Sequence, residues 1–470
     1  MKHAYDPTEF RRLGHELVDG LAAYLESALA GDMPVLPSTS PQELERELDA
    51  AFPAEPTGDL VDSLLSVVER ANHLHHPRYV GHQVPPAMPQ AALAELARTL
   101  LNGSTSIFEM GPAATIMERH VVRFLARRIG YGPDADGALT HGGSVGNLTA
   151  LLAVRQLRAG TDVWQEGPGE ARFTVLASEE GHYSVRRSVQ IMGWGADGVT
   201  VVPVDEHHRM DPRELAAARA RAEARGRRVL AVVANACSTA TGAFDPLEPI
   251  ADFCGEHDLW LHVDGAHGAS FLLSRTHRQL LAGIERADSV VWDLHKMLLL
   301  PSLVTAVLFR EGGHGFAAFH QDASYVFRRA AREERYDMGL RTIECTKGAV
   351  GMTAYAGLRA CGTAALERYL DGTVELARSF ADLVERADDF ELAVRPTCNI
   401  VCFRRLSAEH DDLDALQERL RARIVGSGKY YLVLADLRGA RYLRMTLIHP
   451  FTRLADLEEL LEELRRIDGP

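Results

Sequence analysis

At 470 residues the chain can bury at least one large core, and domains of roughly 100–200 residues would give it two to four. Hydrophobic residues make up 46% and charged residues 25%, which fits an ordinary globular protein. A formal net charge of -14 argues against a nucleic-acid partner, because neutralising phosphates takes clustered Lys and Arg.

The first residues, MKHAYDPTEFRRLGHEL, carry charges where a secretory leader would be apolar, so no leader is expected. DPTEFRRLGHELVDGLAAYLESAL has apolar residues at helical spacing. The Pro-containing stretch 33–41 breaks it, and GDLVDSLLSVVERANHL follows as a second amphipathic segment. Residues 1–75 therefore read as a helical segment without its own core, expected to pack on another domain or on a dimer partner. From about 138 to 310 the pattern alternates. RFTVLAS, GVTVVPV, RVLAVVANA, LWLHVDGA, DSVVWDL and LVTAVLF are candidate strands, with helical runs such as DPRELAAARARAEAR and PLEPIADFCGEHD between them. Short apolar strands separated by helices imply an α/β fold with a mostly parallel sheet and helices on both faces. The apolar stretch 297–309 contains Pro301 and is too short to span a bilayer, so it reads as a buried strand and no membrane partner is expected. After about 350 come helices, then strands FELAVRP, NIVCFRRL, YYLVLADL and RYLRMTLI and the helix DLEELLEELRRI. The expected organisation is a helical segment 1–75, a large domain 76–350 and a smaller α/β domain 351–470. Six scattered cysteines without a CxxC pair fit a reducing, cytoplasmic compartment and not a disulfide framework.

Ligands of parallel sheets bind beyond the carboxyl ends of the strands, and the unusual residues fall there. In DSVVWDLHKMLLLP, Lys296 is flanked by Leu294, Met297, Leu298 and Leu299. Desolvation disfavours an ammonium, so such a lysine can act as a neutral amine and form an imine. In LWLHVDGAHGAS, Asp264 ends an apolar strand. A carboxylate beside a pyridine nitrogen keeps that nitrogen protonated and makes the ring an electron sink. In THGGSVGNLTALLAVR, Gly142 and Gly143 permit a tight turn, Ser144 supplies a hydroxyl, and a helix is expected to begin near Asn147, suiting a phosphate. His182 in ASEEGHYSVRRS and Ser238, Thr239 and Thr241 in NACSTATGAFDPL also follow strands. Taken singly, each has an ordinary structural reading: a snorkelling lysine, a capping Asp, turn glycines, polar loop residues.

In this order and spacing the motifs resemble the group II pyridoxal-phosphate decarboxylases, which act on glutamate, aspartate, cysteine sulfinate, diaminobutyrate or aromatic amino acids. The likeness runs from FRRLGHELVD to YLRMTLIHP, and the HVDGAH and WDLHK pair is the most specific part. It implies the fold type I architecture of pyridoxal-phosphate enzymes and pyridoxal 5'-phosphate as cofactor. Lys296 would be the Schiff-base lysine, His295 its neighbour near the phosphate, and Asp264 the partner of the pyridine nitrogen. His182 would stack on the ring, Gly143 and Ser144 would bind the phosphate, and Thr239 would lie near the ring. Asp293 stands where relatives carry Asn or Asp. Arg444 in RYLRMTL matches an arginine that grips a substrate carboxylate. The segments HPRYVGHQV (76–84) and SIFEMGP (106–112) match pocket-lining stretches, some reaching from a partner subunit, so a homodimer is implied. Departures from common forms are His141 before Gly142, Gly265 after Asp264 and His449 before Pro450.

The resemblance implies α-decarboxylation to an amine and carbon dioxide. A tyrosine of the mobile loop donates the final proton in such enzymes, and Phe in its place favours oxidative deamination to an aldehyde. Tyr336 in REERYDMGLRTIECTK is the candidate, with Tyr325 in DASYVF as its rival. Gln83 and Phe108 with Glu109 resemble the acidic-substrate branch, and Arg444 offers a bidentate fork for a carboxylate. Glu109 would instead suit the ammonium of a diamino acid such as 2,4-diaminobutyrate. A non-enzymatic scaffold would have lost Lys296, Asp264 or His182, and all three are present. The cluster His73, His75 and His76 lacks a positioned fourth ligand, so no metal is expected.

Overall fold

The computed structural model describes residues 2–48, 52–319 and 336–468. The chain forms two compact units. The larger comprises Ala87–Glu375 and Pro396–Asn399, and the smaller Met1–Pro86, Leu376–Arg395 and Ile400–Pro470.

The larger unit is built on strands β1 (Asp136–Thr140), β2 (Phe173–Ser178), β3 (Val199–Val202), β4 (Arg228–Asn235), β5 (Trp260–Asp264), β6 (Ser289–Asp293) and β7 (Thr305–Phe309). Their order is β1-β7-β6-β5-β4-β2-β3. From β3 to β6 the pairing is parallel, and β7 runs antiparallel to both β6 and β1. All residues of β2, β5, β6 and β7 are buried, because helices cover both faces and neither face needs polar side chains. Leu151 and Ala153 of helix Gly143–Arg158 meet Phe173, Val175, Val291 and Val307 in one core. Each large apolar side chain so buried contributes about 1.5–3 kcal/mol.

Register sets the functional edge. Asn235 pairs with Asp264, and Asp293 pairs with Thr305, which pairs with Thr140. Polar residues at the carboxyl ends of β4, β5 and β6 therefore line one rim.

The six strands expected in this region are all present. The strand β1 and the helices Pro89–Leu101 and Pro112–Ile129 were not legible in the pattern. Within 297–309 only β7 is strand. The residues before it are loop, buried at Met297, Leu298 and Leu300 but exposed at Leu303.

The smaller unit carries an antiparallel sheet of β8 (Phe390–Leu392), β9 (Ile400–Arg405), β10 (Val433–Leu437) and β11 (Ala440–Thr446), in the order β10-β11-β9-β8. Phe380, Phe403, Leu420, Met445, Leu460 and Leu464 form its core. Residues 1–86 join this unit and do not stand alone. Val80 is fully buried in that core, accepts a hydrogen bond from Thr446 N (2.8 Å) and donates one to Tyr431 O (3.0 Å). The boundaries thus fall elsewhere than 75 and 350, since helix Val350–Cys361 belongs to the larger unit. The physical reason is poverty of core: helix Pro7–Ala30 buries only Ala28 within the chain.

Candidate active site

Lys296 lies just beyond β6, in the buried loop of Leu294, Met297 and Leu298. Its Nζ stands 3.0 Å from Asp293 Oδ2. Asp293 Oδ1 also accepts from Thr305 Oγ1 at 2.5 Å. Burial depresses the basicity of Lys296, but Asp293 and Asp264, with a smaller contribution from Cys237, outweigh it and move the amine above its ordinary value. This corrects the expectation from the apolar flanks. Those neighbours are buried as expected, yet the ammonium itself faces carboxylates. His295 Nε2 is 3.8 Å from the same Asp293 oxygen, and its Nδ1 lies 2.9 Å from Val304 O.

Asp264 ends β5 and is 7% exposed. One oxygen accepts from Ala266 N (3.2 Å) and the other from Asn147 Nδ2 (2.8 Å). Asn147 was not singled out as a site residue. Its helix is expected from the sequence to begin near Asn147 but starts at Gly143, with Gly142 as cap at φ 95. One turn further in, Asn147 is 1% exposed and turns toward the strand ends. Gly143 is needed for close approach: a Cβ there would stand 3.0 Å from Asp293 Oδ1. Ser144 is exposed in the first turn, where free N–H groups favour an anion.

His182 caps helix Tyr183–Ile191, its side chain accepting from Ser184 N. Burial holds its imidazole below the usual range. The Asp264 and Asp293 carboxylates pull upward and the Lys296 charge pushes further down, so the ring shares a field with all three. Thr239 is exposed beyond β4. Two residues earlier, Cys237 is buried with its Sγ 3.9 Å from that of Cys398, a thiol–thiol contact without a disulfide.

Of four further expected residues, Tyr336 and Phe108 belong to the larger unit and Arg444 and Gln83 to the smaller. Tyr336 packs on Phe108 (5.5 Å between centroids) and under the Arg119 guanidinium (5.0 Å). Arg119 is tied to Asp136 at 3.1 Å, at the end of β1 away from Thr140. Phe108 is held there by its backbone N–H, which donates to Asp337 Oδ1 (2.8 Å). Tyr325 lies outside the described residues. In the smaller unit, Arg444 of β11 is 5% exposed, with Nη1 3.5 Å from Gly81 O. Gln83, two residues on, is buried, and its Nε2 has no hydrogen-bond partner among the described residues. The histidines of the 73–76 cluster are used locally: His73 and His75 pack on Tyr24, and His76 Nδ1 accepts from Arg78 N.

An amine among carboxylates, a buried acceptor-only aspartate and a glycine-led helix start, all at the carboxyl rim of a mostly parallel sheet, fit pyridoxal phosphate in donor chemistry. They define the class of pyridoxal-phosphate enzymes built on this fold. Residues 41–406 match the pyridoxal-dependent decarboxylase conserved domain, and the chain belongs to that family. It is similar to human cysteine sulfinic acid decarboxylase, with 33% identity over 91% of this chain and 90% of that one. It is also similar to the human acidic amino acid decarboxylase GADL1, with 29% identity over 90% and 84%. The crystal structure of mouse CSAD superposes with a TM-score of 0.91 at 29% identity, covering 99% of both chains. The protein is a carboxy-lyase that uses pyridoxal phosphate to decarboxylate an amino acid.

Proposed function

We propose that the substrate is a small acidic amino acid of the aspartate, glutamate or cysteine-sulfinate kind, and that the product is its amine. The observation that carries this reading is local to the smaller unit. A buried guanidinium, Arg444, reaches Gly81 O, and the nearby Gln83 amide holds an N–H donor that is unpaired among the described residues. Both are suited to a carboxylate. The names of the similar human enzymes point the same way.

When bound, pyridoxal phosphate supplies an aldehyde for an amine and a ring that draws electrons from the bond being broken. Lys296 would hold it covalently, with Asp293 beside the amine to take up a proton. Asp264 would keep the ring nitrogen protonated. Gly143 and Ser144 would hold the phosphate, with His295 nearby, and Thr239 would lie along the ring. His182 would cover the ring face. Tyr336, which sits with Arg119 at the other end of β1 in its own chain, would return a proton to the carbon that loses carbon dioxide from across the interface of a homodimer.

The working enzyme is proposed to be a homodimer. Phe10, Val18, Leu64, Leu93, Leu96 and Leu100 are exposed in the single chain, and a second copy would cover them. Sedimentation equilibrium giving a monomer at micromolar concentration would remove this part. A cytoplasmic setting is proposed from six free cysteines, including the close pair Cys237 and Cys398.

A panel of kcat/KM values tests the substrate. An acidic amino acid should lead. If 2,4-diaminobutyrate or an aromatic amino acid leads by more than about tenfold, roughly 1.4 kcal/mol of transition-state preference, the acidic reading is wrong. The diamino alternative keeps one specific support, the exposed Glu109 beside Phe108.

A further inference from the structure

Behind Asp264 and His182 runs a buried chain of hydrogen bonds whose direction is set at both ends. At one end is the Trp260 indole, which can only donate, at 2.9 Å from Ser289 Oγ. Ser289 Oγ is 2.8 Å from His262 Nδ1, and His262 Nε2 is 3.0 Å from Asn147 Oδ1. Asn147 Nδ2 is 2.8 Å from Asp264 Oδ2 and 2.9 Å from Ser184 Oγ. Ser184 Oγ is 2.7 Å from His182 Nδ1. At this other end the backbone N–H of Ser184 also points at His182 Nδ1, at 3.3 Å.

The protons can then be assigned by elimination. Asp264 is an acceptor, so Asn147 must turn its NH2 toward it; the reversed amide would set oxygen against oxygen. That leaves Asn147 Oδ1 for His262, which must donate from Nε2. His262 Nδ1 is then an acceptor and takes the Ser289 hydroxyl proton, while Ser289 Oγ accepts from Trp260. On the other branch, Ser184 Oγ accepts from Asn147 and is left to donate to His182 Nδ1. The Ser184 backbone N–H demands the same of His182. His262 is 0% exposed, and burial pushes it down to about 4, in keeping with a neutral ring.

We propose that Asn147, His262 and Ser184 are positioning residues that hold His182 as the Nε2–H tautomer and aim one N–H at Asp264. The His182 Nε2–H then has no partner among the described residues and is left to donate to an anionic oxygen of the ligand. The proposal rests on the reading above that His182 faces the cofactor and substrate. One buried amide, Asn147, thereby couples the ring-nitrogen partner Asp264 to the ring-face histidine through Ser184. Packing alone would not require this polarity.

The test is 15N NMR of histidine-labelled protein, free of cofactor and then reconstituted, with the His182 signals assigned by their loss in His182→Gln. The expected wild-type result is a single species, protonated at Nε2 and bare at Nδ1. Ser184→Ala leaves only the longer backbone contact and should admit the Nδ1–H form, whereas Ser184→Thr keeps the hydroxyl and should restore the single species. Asn147→Asp should reverse the Ser184 hydroxyl and also admit Nδ1–H. In the reconstituted enzyme kcat should fall in Ser184→Ala by between tenfold and about 10⁴, the cost of a wrong imidazole tautomer elsewhere, with KM little changed. Wild-type His182 protonated at Nδ1, or Ser184→Ala indistinguishable from wild type, overturns the proposal. Should Asn147→Asp fail to fold, the Ser184 pair decides alone. Borohydride labelling away from Lys296 would overturn the cofactor reading and leave the tautomer result standing, so the two failures are separable.

Discussion

Lys296 Nζ stands 3.0 Å from Asp293 Oδ2, and that pairing dominates the lysine's neighbourhood. The carboxylates of Asp293 and Asp264 move its amine above the ordinary 10.5 although burial opposes it. The Asp293→Asn variant should therefore lower the basicity of Lys296 and let the apoenzyme capture pyridoxal phosphate at lower pH. Stopped-flow absorbance of reconstitution against pH checks this; an unshifted profile would show that Asp293 does not control the amine. The sign for stability follows. A raised amine stabilises the fold at full strength below pH 10.5, and that contribution is lost as pH climbs through the folded value. Borohydride reduction and peptide mapping should place the pyridoxyl group on Lys296.

Tyr336 lies between Phe108 and Arg119. If it is the proton donor, Tyr336→Phe should lower amine formation by about 10²–10⁴-fold and raise aldehyde and peroxide. Product analysis by mass spectrometry reads both. Unchanged amine yield would remove the role and leave Tyr325 to be tested next.

Lys347 and Glu118 form an ion pair with both side chains 0% exposed, and Glu118 also accepts from Leu139 N of β1 (2.9 Å). Removing one partner leaves a buried charge alone. Lys347→Met should destabilise by about 3–5 kcal/mol, and adding Glu118→Leu should recover much of it. Urea unfolding of the two variants decides; equal stability of single and double variants would contradict the pairing.

His262 and His449 are buried, and burial pushes each down to about 4. The unfolded chain binds protons at these rings below pH 6.5 while the folded chain refuses them down to about 4. Stability is therefore lost as pH falls through that window, by on the order of 3 kcal/mol for each histidine. Thermal melts from pH 7 to pH 4.5 should show a falling Tm, and a flat profile would mean the rings are protonated in the native state.

The chain's local pattern was enough for the sheet strands. RVLAVVANA, LWLHVDGA and DSVVWDL are short β-branched runs bounded by polar residues, and a period so plain survives without tertiary information. It also placed Asp264, which stands where an apolar run stops, and Lys296, a lone charge between the end of one apolar strand and a second apolar run. It missed β1, since DGALT is short and holds Gly and Ala, and it is strand only because β7 pairs with it. Only the tertiary structure decided that residues 1–86 join the carboxyl-terminal sheet, that Lys296 faces carboxylates despite its leucine neighbours, and that Asn147 is bound to Asp264. Asn147 and Asp264 are 117 positions apart, and no local pattern encodes such a contact; Asp293 is only three residues from Lys296, but that the two side chains meet depends on how the loop after β6 folds back. Sequence period reports which face is apolar; which polar atom meets which is settled when the helix and the strand ends pack together.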